Sequence, residues 1–364
     1  MKVRAKLWDS IDNNKVKCHV CANECVITPG KVGICRTRKN LDGQLYTLIY
    51  GSLISEGSLD PIEKKPLYNF WPGATAYSIA SIGCSFRCQN CQNWSISQAC
   101  PSDDGTDGCY DLEGLEDRNI SLVEVTPEQL IKRTLKSKAK TLAFTYNEPL
   151  IWHEWVLDVT KLLKKEDIKT ILVSNGYSTP EATKELIEVG IDAANIDIKA
   201  MSDDFYKKIC GVKSVQPVLD TCKRFKEGGI HVEITNLIIP DLNDSEEEIK
   251  NLSDWVVNNL GKNTPTHFSA YHPDFKMPSM KNTPNNLHVL EQFPNEISQK
   301  YVELHGSPGK NFNKASMKKG SCFLVFNDFL PVPTIFLIYY KHICVKISHI
   351  YFHPIWLFES ILHI

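Results

Sequence analysis

The sequence predicts an α/β fold, namely a partial (β/α)6 TIM-like barrel that follows a small N-terminal lobe rich in cysteine. Two observations predict this arrangement. Apolar β-rich runs alternate with amphipathic helical segments between residues 76 and 300, which is the pattern of a parallel sheet covered by helices. Eight of the 13 cysteines lie in the first hundred residues, so we expect the metal-bearing part of the chain there.

Residues 1–75 are predicted to form this lobe and the lead-in to the barrel. Four thiols, at the spacing C-x2-C-x3-C-x9-C, fall within eighteen residues: Cys18, Cys21, Cys25 and Cys35. Four thiolates suit a closed tetrahedral zinc site, which would supply folding energy to a lobe with little core. An auxiliary iron–sulfur cluster is the alternative, because cysteine spacing alone does not separate the two.

Residues 76–300 are predicted to form the barrel. The predicted strands are AYSIASIG (76–83), TLAFTY (141–146), TILVSN (170–175), AANIDIKA (193–200), HVEITNLIIP (231–240) and THFSAYHP (266–273). The segments between them have helical spacing of apolar residues, with Thr or Asp near several starts and Gly after several ends. Six such units are fewer than the eight that close a TIM barrel, so we expect an open barrel.

Residues 301–364 form a hydrophobic tail without clear helical or strand periodicity. An Asp and two prolines interrupt its most apolar run, FLVFNDFLPVPTIFLIYY, which argues against a membrane-spanning helix and against membrane contact. We expect either a segment that packs over the open edge of the barrel or a variant C-terminus.

Composition and charge exclude several classes of partner. With 41 Lys and Arg against 43 Asp and Glu, the net charge of -2 gives no electrostatic footprint for nucleic acid, so no nucleic-acid partner is expected. The first residues lack the apolar region and the cleavage site of a secretory signal, and a cytoplasmic location is therefore expected. In a cytosolic chain of this size, many cysteines indicate metal binding or redox chemistry more than disulfides.

A second group of thiols directly follows the first predicted strand. Cys84, Cys88 and Cys91 lie in GCSFRCQNCQNW (83–94) at the spacing C-x3-C-x2-C. A structural zinc site is usually closed by four protein ligands, whereas three leave one position open. A [4Fe-4S] cluster held by three thiolates has one iron to which a small molecule can bind. The alternatives are that Cys100 is a fourth ligand or that the thiols are core residues.

This motif resembles that of the radical S-adenosylmethionine (SAM) superfamily. Within it, the chain is most similar to the AmmeMemoRadiSam system radical SAM enzymes, which are related to pyruvate formate-lyase activating enzyme. The resemblance extends from about residue 15 to about residue 295 and is carried by CHVCANEC, GICRTR, DPIEKKPLYNFWPG, GCSFRCQNCQNW, FTYNEP, VEITNLIIPDLND and HFSAYHPDFKM. One departure is Asn90, at the position before the third cysteine that is usually aromatic, so packing against adenine would come from Phe86 or Trp94.

The resemblance implies both cofactors and a reaction. SAM would chelate the open iron of the [4Fe-4S] cluster, and its reductive cleavage would give methionine and a 5'-deoxyadenosyl radical that abstracts hydrogen from a substrate. A ferredoxin-like or flavodoxin-like donor would supply the electron. In relatives the substrate is often a partner protein, so a protein substrate is expected here, although no residue of this chain identifies it.

Polar residues at the ends of the other predicted strands are candidates for the SAM site, because a barrel site draws on several strand ends. The resemblance assigns Tyr146, Asn147 and Glu148 to the motif that holds the methionine amino group. Ser174 and Asn175 would bond the ribose or the methionine carboxylate. Further candidates are Asp197 and Lys199, which resemble the D-x-K motif of glycyl-radical-enzyme activases, and His272, which corresponds to a strand-six His.

The sequence therefore favours a radical SAM oxidoreductase and leaves three alternatives. A non-catalytic iron–sulfur electron carrier would need the thiol triplet but not Glu148, Ser174 or Asn175. A zinc-binding interaction module would bind zinc at both cysteine groups. A tRNA-modifying radical SAM enzyme is disfavoured by the near-neutral charge, because phosphate contacts need clustered Lys and Arg.

Overall fold

The computed structural model describes residues 1–101 and 120–283, together with three short strands beyond them. The strands are β1 (Val3–Arg4), β2 (Trp8–Ile11), β3 (Lys15–Cys18), β4 (Val26–Ile27), β5 (Arg38–Leu41), β6 (Gln44–Thr47), β7 (Ser52–Leu53), β8 (Ser58–Pro61), β9 (Thr75–Ile79), β10 (Val123–Glu124), β11 (Thr141–Phe144), β12 (Lys169–Ser174), β13 (Ala193–Asp197), β14 (His231–Ile238), β15 (Thr266–Ala270), β16 (Val302–His305), β17 (Leu324–Phe326) and β18 (Phe336–Leu337). The α-helices are α1 (Trp94–Ser97), α2 (Pro127–Ser137), α3 (His153–Leu163), α4 (Pro180–Val189), α5 (Asp203–Phe205), α6 (Gln216–Glu227) and α7 (Glu246–Leu260).

A curled sheet of seven strands forms a half-barrel, which confirms the predicted fold class. Its neighbouring strands β9, β11, β12, β13, β14, β15 and β16 are parallel, and helices connect the successive strands from β9 to β15. All six predicted strands are present, and β16 is a seventh that the sequence did not predict. Most of the observed strands end two to four residues before the predicted ends. Beyond the observed ends, the backbone forms hydrogen bonds with side chains instead of with a neighbouring strand.

Several helices begin and end at the Thr and Gly residues that the sequence indicated near their starts and ends. Thr126 and Gln129 form a capping box at the start of α2, and Thr179 and Ser245 accept hydrogen bonds from the first turns of α4 and α7. Gly190 ends α4 in the left-handed conformation. These polar caps fix where each helix leaves the sheet and therefore where the strand-end loops lie.

The N-terminal lobe is built of small antiparallel sheets, β2–β3–β4 and β1–β6–β5. Its core is small and includes Val16, Ile27, Leu45 and Cys18. Arg38 joins the lobe to α3 through a buried bidentate ion pair with Glu154, at N–O distances of 3.0 and 2.7 Å. The lobe thus relies on its attachment to the barrel as much as on its own core.

A second attachment fastens the lobe to the loop after β12. Cys21 and Ser178 form an isolated β-bridge, Ala22 N–H donates to the Tyr177 carbonyl at 3.1 Å, and the Thr179 hydroxyl donates to the His19 carbonyl at 2.5 Å. The lobe therefore lies next to the carboxyl ends of the barrel strands.

Part of the lead-in belongs physically to the barrel. β8 pairs antiparallel with β9, and Ile62 and Leu67 pack in a buried cluster with Ala76, Ala143 and Ala193. The small alanine side chains of three strands leave the space that this segment fills. The division at residue 75 remains a prediction, since the packing of residues 58–70 is continuous with the strands.

Glu233, a residue of β14, holds the end of this lead-in segment at Tyr68 and Asn69. It is fully buried and accepts hydrogen bonds from the backbone of Tyr68 and Asn69 and from His231 and His267, at 2.6 to 3.1 Å. Burial alone would raise the pKa of Glu233, but the two histidines lower it to about 2.

We expect the Glu233 carboxylate to stabilise the fold in a defined acid range. Its pKa is lower in the folded than in the unfolded chain, so its contribution is fully present above about pH 4.5 and is lost as the pH falls towards about 2. Urea unfolding across this range should show a shallower loss of stability for Glu233→Gln than for the parent. The exposed Glu227→Gln variant should keep the parental slope, and equal slopes for all three would refute the role of Glu233.

The tail contributes β16, β17 and β18, which extend the sheet beyond β15. Within the described residues, no helix has the length and apolarity needed to cross a lipid bilayer. Most of the tail, like the polar insertion after Cys100, lies outside the described residues.

Candidate functional site

The Cys84–Cys88–Cys91 loop begins where the first barrel strand ends. Asn147, from the loop after β11, holds the backbone that leads into it: its Oδ1 accepts from Ser81 N–H at 3.0 Å, and its Nδ2 donates to the carbonyls of Ile82 and Gly83 at 3.2 Å. Asn147 is buried, so these bonds are shielded from water. The structure thus places Asn147 as the residue that shapes the cysteine loop.

A π-helical turn, Tyr206–Cys210, supports the other side of this loop. Its carbonyls at Cys210 and Ile209 accept hydrogen bonds from Arg87 N–H and Gln89 N–H, at 2.8 and 2.9 Å. Gly211 follows in the left-handed conformation, and a Cβ there would lie 2.9 Å from the Arg87 Cβ. π-Turns are rare and are frequent at functional sites. No periodic pattern in the sequence predicts this turn.

The three thiols fit an iron–sulfur cluster by their chemistry. All are free, and burial is the largest cause that raises the pKa of Cys84 well above its usual value and that of Cys91 to about 11. Buried thiols of this kind become thiolates only beside cations such as iron. Phe86 N–H and Asn175 Nδ2 lie 3.3 and 3.6 Å from Cys84 Sγ, as donors to a thiolate would.

Two further findings bear on whether a fourth protein side chain could join Cys84, Cys88 and Cys91 as a metal ligand. Cys100 is disulfide-bonded, so it offers no free thiol. Among the described residues, no three His, Cys, Asp or Glu side chains form a ready-made group for one metal ion.

Glu148 organises the strand ends beside the cysteine loop. Its Oε1 accepts from Leu150 N–H and the Ser174 hydroxyl at 2.9 and 2.8 Å, and its Oε2 accepts from Asn175 N–H at 2.8 Å. Asn175 in turn donates to Ser85 Oγ at 3.0 Å. Burial is the dominant cause that raises the pKa of Glu148 to about 7, despite these three donors. The structure therefore brings Glu148, Ser174 and Asn175 together with Cys84.

Asp197 and Lys199 form an ion pair of 3.0 Å at the end of β13. Burial lowers the pKa of Lys199, but Asp197, Cys88 and Cys210 outweigh it and raise that pKa well above its usual value. The Lys199 carbonyl is bound by the side-chain amides of Asn236 and Asn243, at 3.3 and 2.7 Å. Both asparagines were missed by the sequence analysis, although Asn243 lies in the PDLND run that it singled out.

The remaining candidates lie apart from this network. Tyr146 is 39% exposed, and its hydroxyl bonds Asp60 and the buried Lys65, at 2.8 and 3.1 Å. His272 is exposed after β15 and has no hydrogen bond within the described part of the chain. The structure therefore brings neither side chain to the Cys84 loop through a described contact, and their cofactor roles stay predictions.

The two aromatic candidates for the adenine also have other partners. Phe86 is buried and packs edge-to-face against Tyr177 and Tyr206, and its packing against a cofactor stays a prediction. Trp94 stacks on Phe275, with ring centroids 5.1 Å apart. The loop after β15 consequently reaches the cysteine loop through Phe275.

The Cys210 thiol is a residue that the sequence analysis missed. It is fully buried, and its hydrogen bond to Cys88 is the largest cause that raises the Cys88 pKa well above its usual value. Only its place five residues into the unpredicted π-turn brings it there, so cysteine spacing could not have found it.

We expect Cys210→Ala to keep both bound iron and cofactor cleavage, at a cost of about 1 kcal/mol of stability, because three thiolates suffice for a cluster with one open iron. Iron analysis and 5'-deoxyadenosine yield after anaerobic reconstitution check this. Cys222→Ala, another buried free thiol in α6, is the matched control. Loss of iron from Cys210→Ala alone would identify Cys210 as a fourth ligand and close the open position.

The four N-terminal thiols surround a single cavity. Cys18, Cys21, Cys25 and Cys35 line it together with Val20, Ile27, Gly33, Arg38 and Ile151. Burial is the main cause that raises the pKa of Cys18 to about 12 and that of Cys21 well above its usual value. The structure thus brings together all four residues that the sequence assigned to one site.

Comparison with known proteins identifies relatives of the barrel and of the whole chain. The model of the family described as "Radical SAM superfamily" matches residues 78–256. An uncharacterized protein of Methanocaldococcus jannaschii is 38% identical over 306 residues, which cover 84% of this chain and 85% of that protein. The pyruvate formate-lyase-activating enzyme of Clostridium pasteurianum is 28% identical over 199 residues, which cover 52% of this chain and 72% of the enzyme.

Among solved structures, Streptococcus suis SuiB bound to S-adenosylmethionine matches with a TM-score of 0.45 and 14% identity, over 68% of this chain. The chain spans about half the length of that structure, with 53% covered.

Proposed function

Because the chain belongs to the radical SAM superfamily, whose members bind a [4Fe-4S] cluster and S-adenosylmethionine, we propose that it is an oxidoreductase that cleaves S-adenosylmethionine reductively and uses the 5'-deoxyadenosyl radical to abstract hydrogen. One observation carries this proposal. Three free thiols follow the first barrel strand, and the first of them, Cys84, lies 3.6 Å from the side-chain amide of Asn175, whose backbone N–H donates to Glu148.

The bound cluster would supply the electron that breaks a carbon–sulfur bond of the sulfonium. Cys84, Cys88 and Cys91 are the residues that would hold it. The pKa of Cys88 is raised mainly by its hydrogen bond with Cys210 and that of Cys91 mainly by burial, and the charge of Lys199 opposes both shifts and so favours the thiolate forms. Asn175 donates towards Cys84 and fixes the direction of that thiolate.

The strand-end residues would then orient the methionine part of the cofactor. Glu148 accepts three hydrogen bonds from the chain, which leaves acceptor capacity on a carboxylate with about four lone-pair sites. We assign it to the methionine amino group, and Ser174 and Asn175 to the ribose or carboxylate. Burial of this group excludes water, which strengthens each of these contacts.

We also propose a partner protein as the hydrogen donor and the AmmeMemoRadiSam system enzymes as the subfamily. The similarity to a pyruvate formate-lyase-activating enzyme and the Asp197–Lys199 pair at the end of β13 support an activase-like role. A ferredoxin-like or flavodoxin-like protein would donate the electron.

The test is anaerobic reconstitution with iron and sulfide, followed by dithionite and S-adenosylmethionine, with 5'-deoxyadenosine quantified. The parent should produce it, Cys88→Ala should not, and Cys222→Ala should match the parent. Equal yields from Cys88→Ala and the parent would remove the enzymatic assignment. A cluster-bearing parent that forms no deoxyadenosine would instead be an electron carrier, and a colourless zinc protein would be an interaction module.

A further inference from the structure

We propose that Cys18, Cys21, Cys25 and Cys35 hold a second, redox-active iron–sulfur cluster that passes the incoming electron to the cluster of the Cys84 loop. The existence of this site rests on the lobe alone, whereas its relay role rests on the function proposed above.

The first line of support is the lining of the lobe cavity. Four thiols surround this cavity, but no three described side chains converge on a point that would suit a single ion, as a zinc site requires. Arg38 lines the same cavity and is 1% exposed, and its Nε–H has no hydrogen-bond acceptor among the described residues. A buried donor without an acceptor is costly, and a sulfide or thiolate of a bound cluster would satisfy it.

The second line is the contact between the two cysteine groups. Asn23, between two of the lobe thiols, donates from Nδ2 to the Ser85 carbonyl at 2.8 Å. A Cβ at Gly83 would lie 2.7 Å from the Cys35 carbonyl, so only glycine permits this approach next to Cys84. The backbones that carry the two groups are therefore in direct contact.

The third line is the charge of Arg87, which lies inside the C-x3-C segment. Its Nη1 donates only to the carbonyls of Cys84 and Phe86, at 3.2 and 3.0 Å, and no carboxylate pairs with it in the part of the chain that the structure describes. Cysteines of both groups, including Cys35 and Cys25 from the lobe, lie close enough to Arg87 to interact with its charge. A partly buried cation is stabilised by anionic neighbours, and two clusters, one held by three thiolates and the other by four, would be such neighbours.

One edge of the lobe site is accessible from solvent, where an electron donor can approach it. Cys25 is the partly exposed member of the four thiols, and the adjacent Val26 and Ile34 are 57% and 41% exposed. The donor is a reduced flavodoxin-like or ferredoxin-like protein. One electron reduces the lobe cluster, the lobe cluster is reoxidised as that electron moves to the second cluster, and no proton or bond changes in this step.

The decisive protein is the Cys84→Ala/Cys88→Ala/Cys91→Ala variant, which cannot hold the first cluster. After anaerobic reconstitution it should retain about four irons and four sulfides per chain and give an electron paramagnetic resonance signal on reduction with dithionite. Cys18→Ala/Cys21→Ala added to this variant should remove both. One zinc without iron in the triple variant, or no metal at all, would overturn the proposal.

The relay role has two measurements of its own, and the first does not depend on the folding of the lobe variant. Arg87→Met should shift the midpoint potentials of both clusters to lower values in redox titrations, whereas Arg87→Lys should restore part of the shift. Unchanged potentials would refute the coupling. When the lobe is intact, reduced flavodoxin should drive deoxyadenosine formation. In Cys18→Ala/Cys21→Ala, deoxyadenosine formation should fall at least tenfold with flavodoxin as the reductant but only a little with dithionite. Equal losses with both reductants would refute the relay, and two clusters without any deoxyadenosine would refute only the function proposed above.

Discussion

Glu148→Ala should lower the rate of S-adenosylmethionine cleavage by about a hundredfold while the bound iron stays unchanged. The carboxylate holds Leu150, Ser174 and Asn175 at once, and Asn175 continues this network to Ser85 and Cys84. Its loss would let two strand ends relax, and a misplacement of about 1 Å near the reacting atoms can cost about 10²-fold. Deoxyadenosine formation and cluster absorbance under anaerobic conditions measure the two effects separately.

The control for this change is Glu128→Ala, a carboxylate in the first turn of α2 and outside the network. It should leave the rate within about twofold. A parental rate for Glu148→Ala would show that the three donors position nothing that the reaction needs. Loss of iron together with activity would instead place Glu148 in cluster assembly.

Glu154→Gln should destabilise the protein by about 3–5 kcal/mol. The side chains of Arg38 and Glu154 are 2% and 4% exposed, so the variant would leave the guanidinium buried without its counter-ion. Burial raises the pKa of Glu154, but Arg38 outweighs burial and lowers it to about 2, so the carboxylate is ionised at neutral pH. Urea unfolding at pH 7 measures the loss.

Glu188→Gln is the matched control, because Glu188 pairs with Lys184 across an exposed helix surface at 3.8 Å. Such pairs contribute about 0.2–1 kcal/mol. If both variants lost the same small amount, the Arg38–Glu154 pair would not be the fastening between the lobe and α3.

The sequence predicted the barrel well because its information is local. A β-rich run such as TILVSN and a Thr before a helical segment, as at Thr126 and Thr179, each specify an element without long-range knowledge. The segment around Ile62 and Leu67 could not be placed in the barrel in this way, because its packing depends on alanines that are 9 to 131 residues away in the chain. β16 was missed for a different reason, because it lies in the tail, where the sequence has no clear helical or strand periodicity.

The sequence predicted the residues that would hold the cofactors, but it did not predict the residues that hold the cysteine loop in place. The spacing of Cys84, Cys88 and Cys91 shows in the chain itself, and the strand-end positions of Ser174 and Asn175 follow from the strand prediction. Asn147 was predicted to bind a cofactor, whereas in the structure its side-chain amide forms hydrogen bonds with the backbone that leads into the cysteine loop. Cys210 depends on the π-turn, a local deviation that leaves no periodic trace.

The attachment of the lobe to the loop after β12 has a consequence for exchange of amide hydrogens. The bridge from Cys21 to Ser178 and the bond from Thr179 to His19 tie this loop, which also carries Asn175, to the thiol-bearing lobe. Anything that loosens the lobe, such as a chelator, should therefore speed deuterium uptake at residues 175–179 while the central strands still exchange slowly. The state of the lobe would thus be transmitted to the cofactor side of the barrel through the backbone alone.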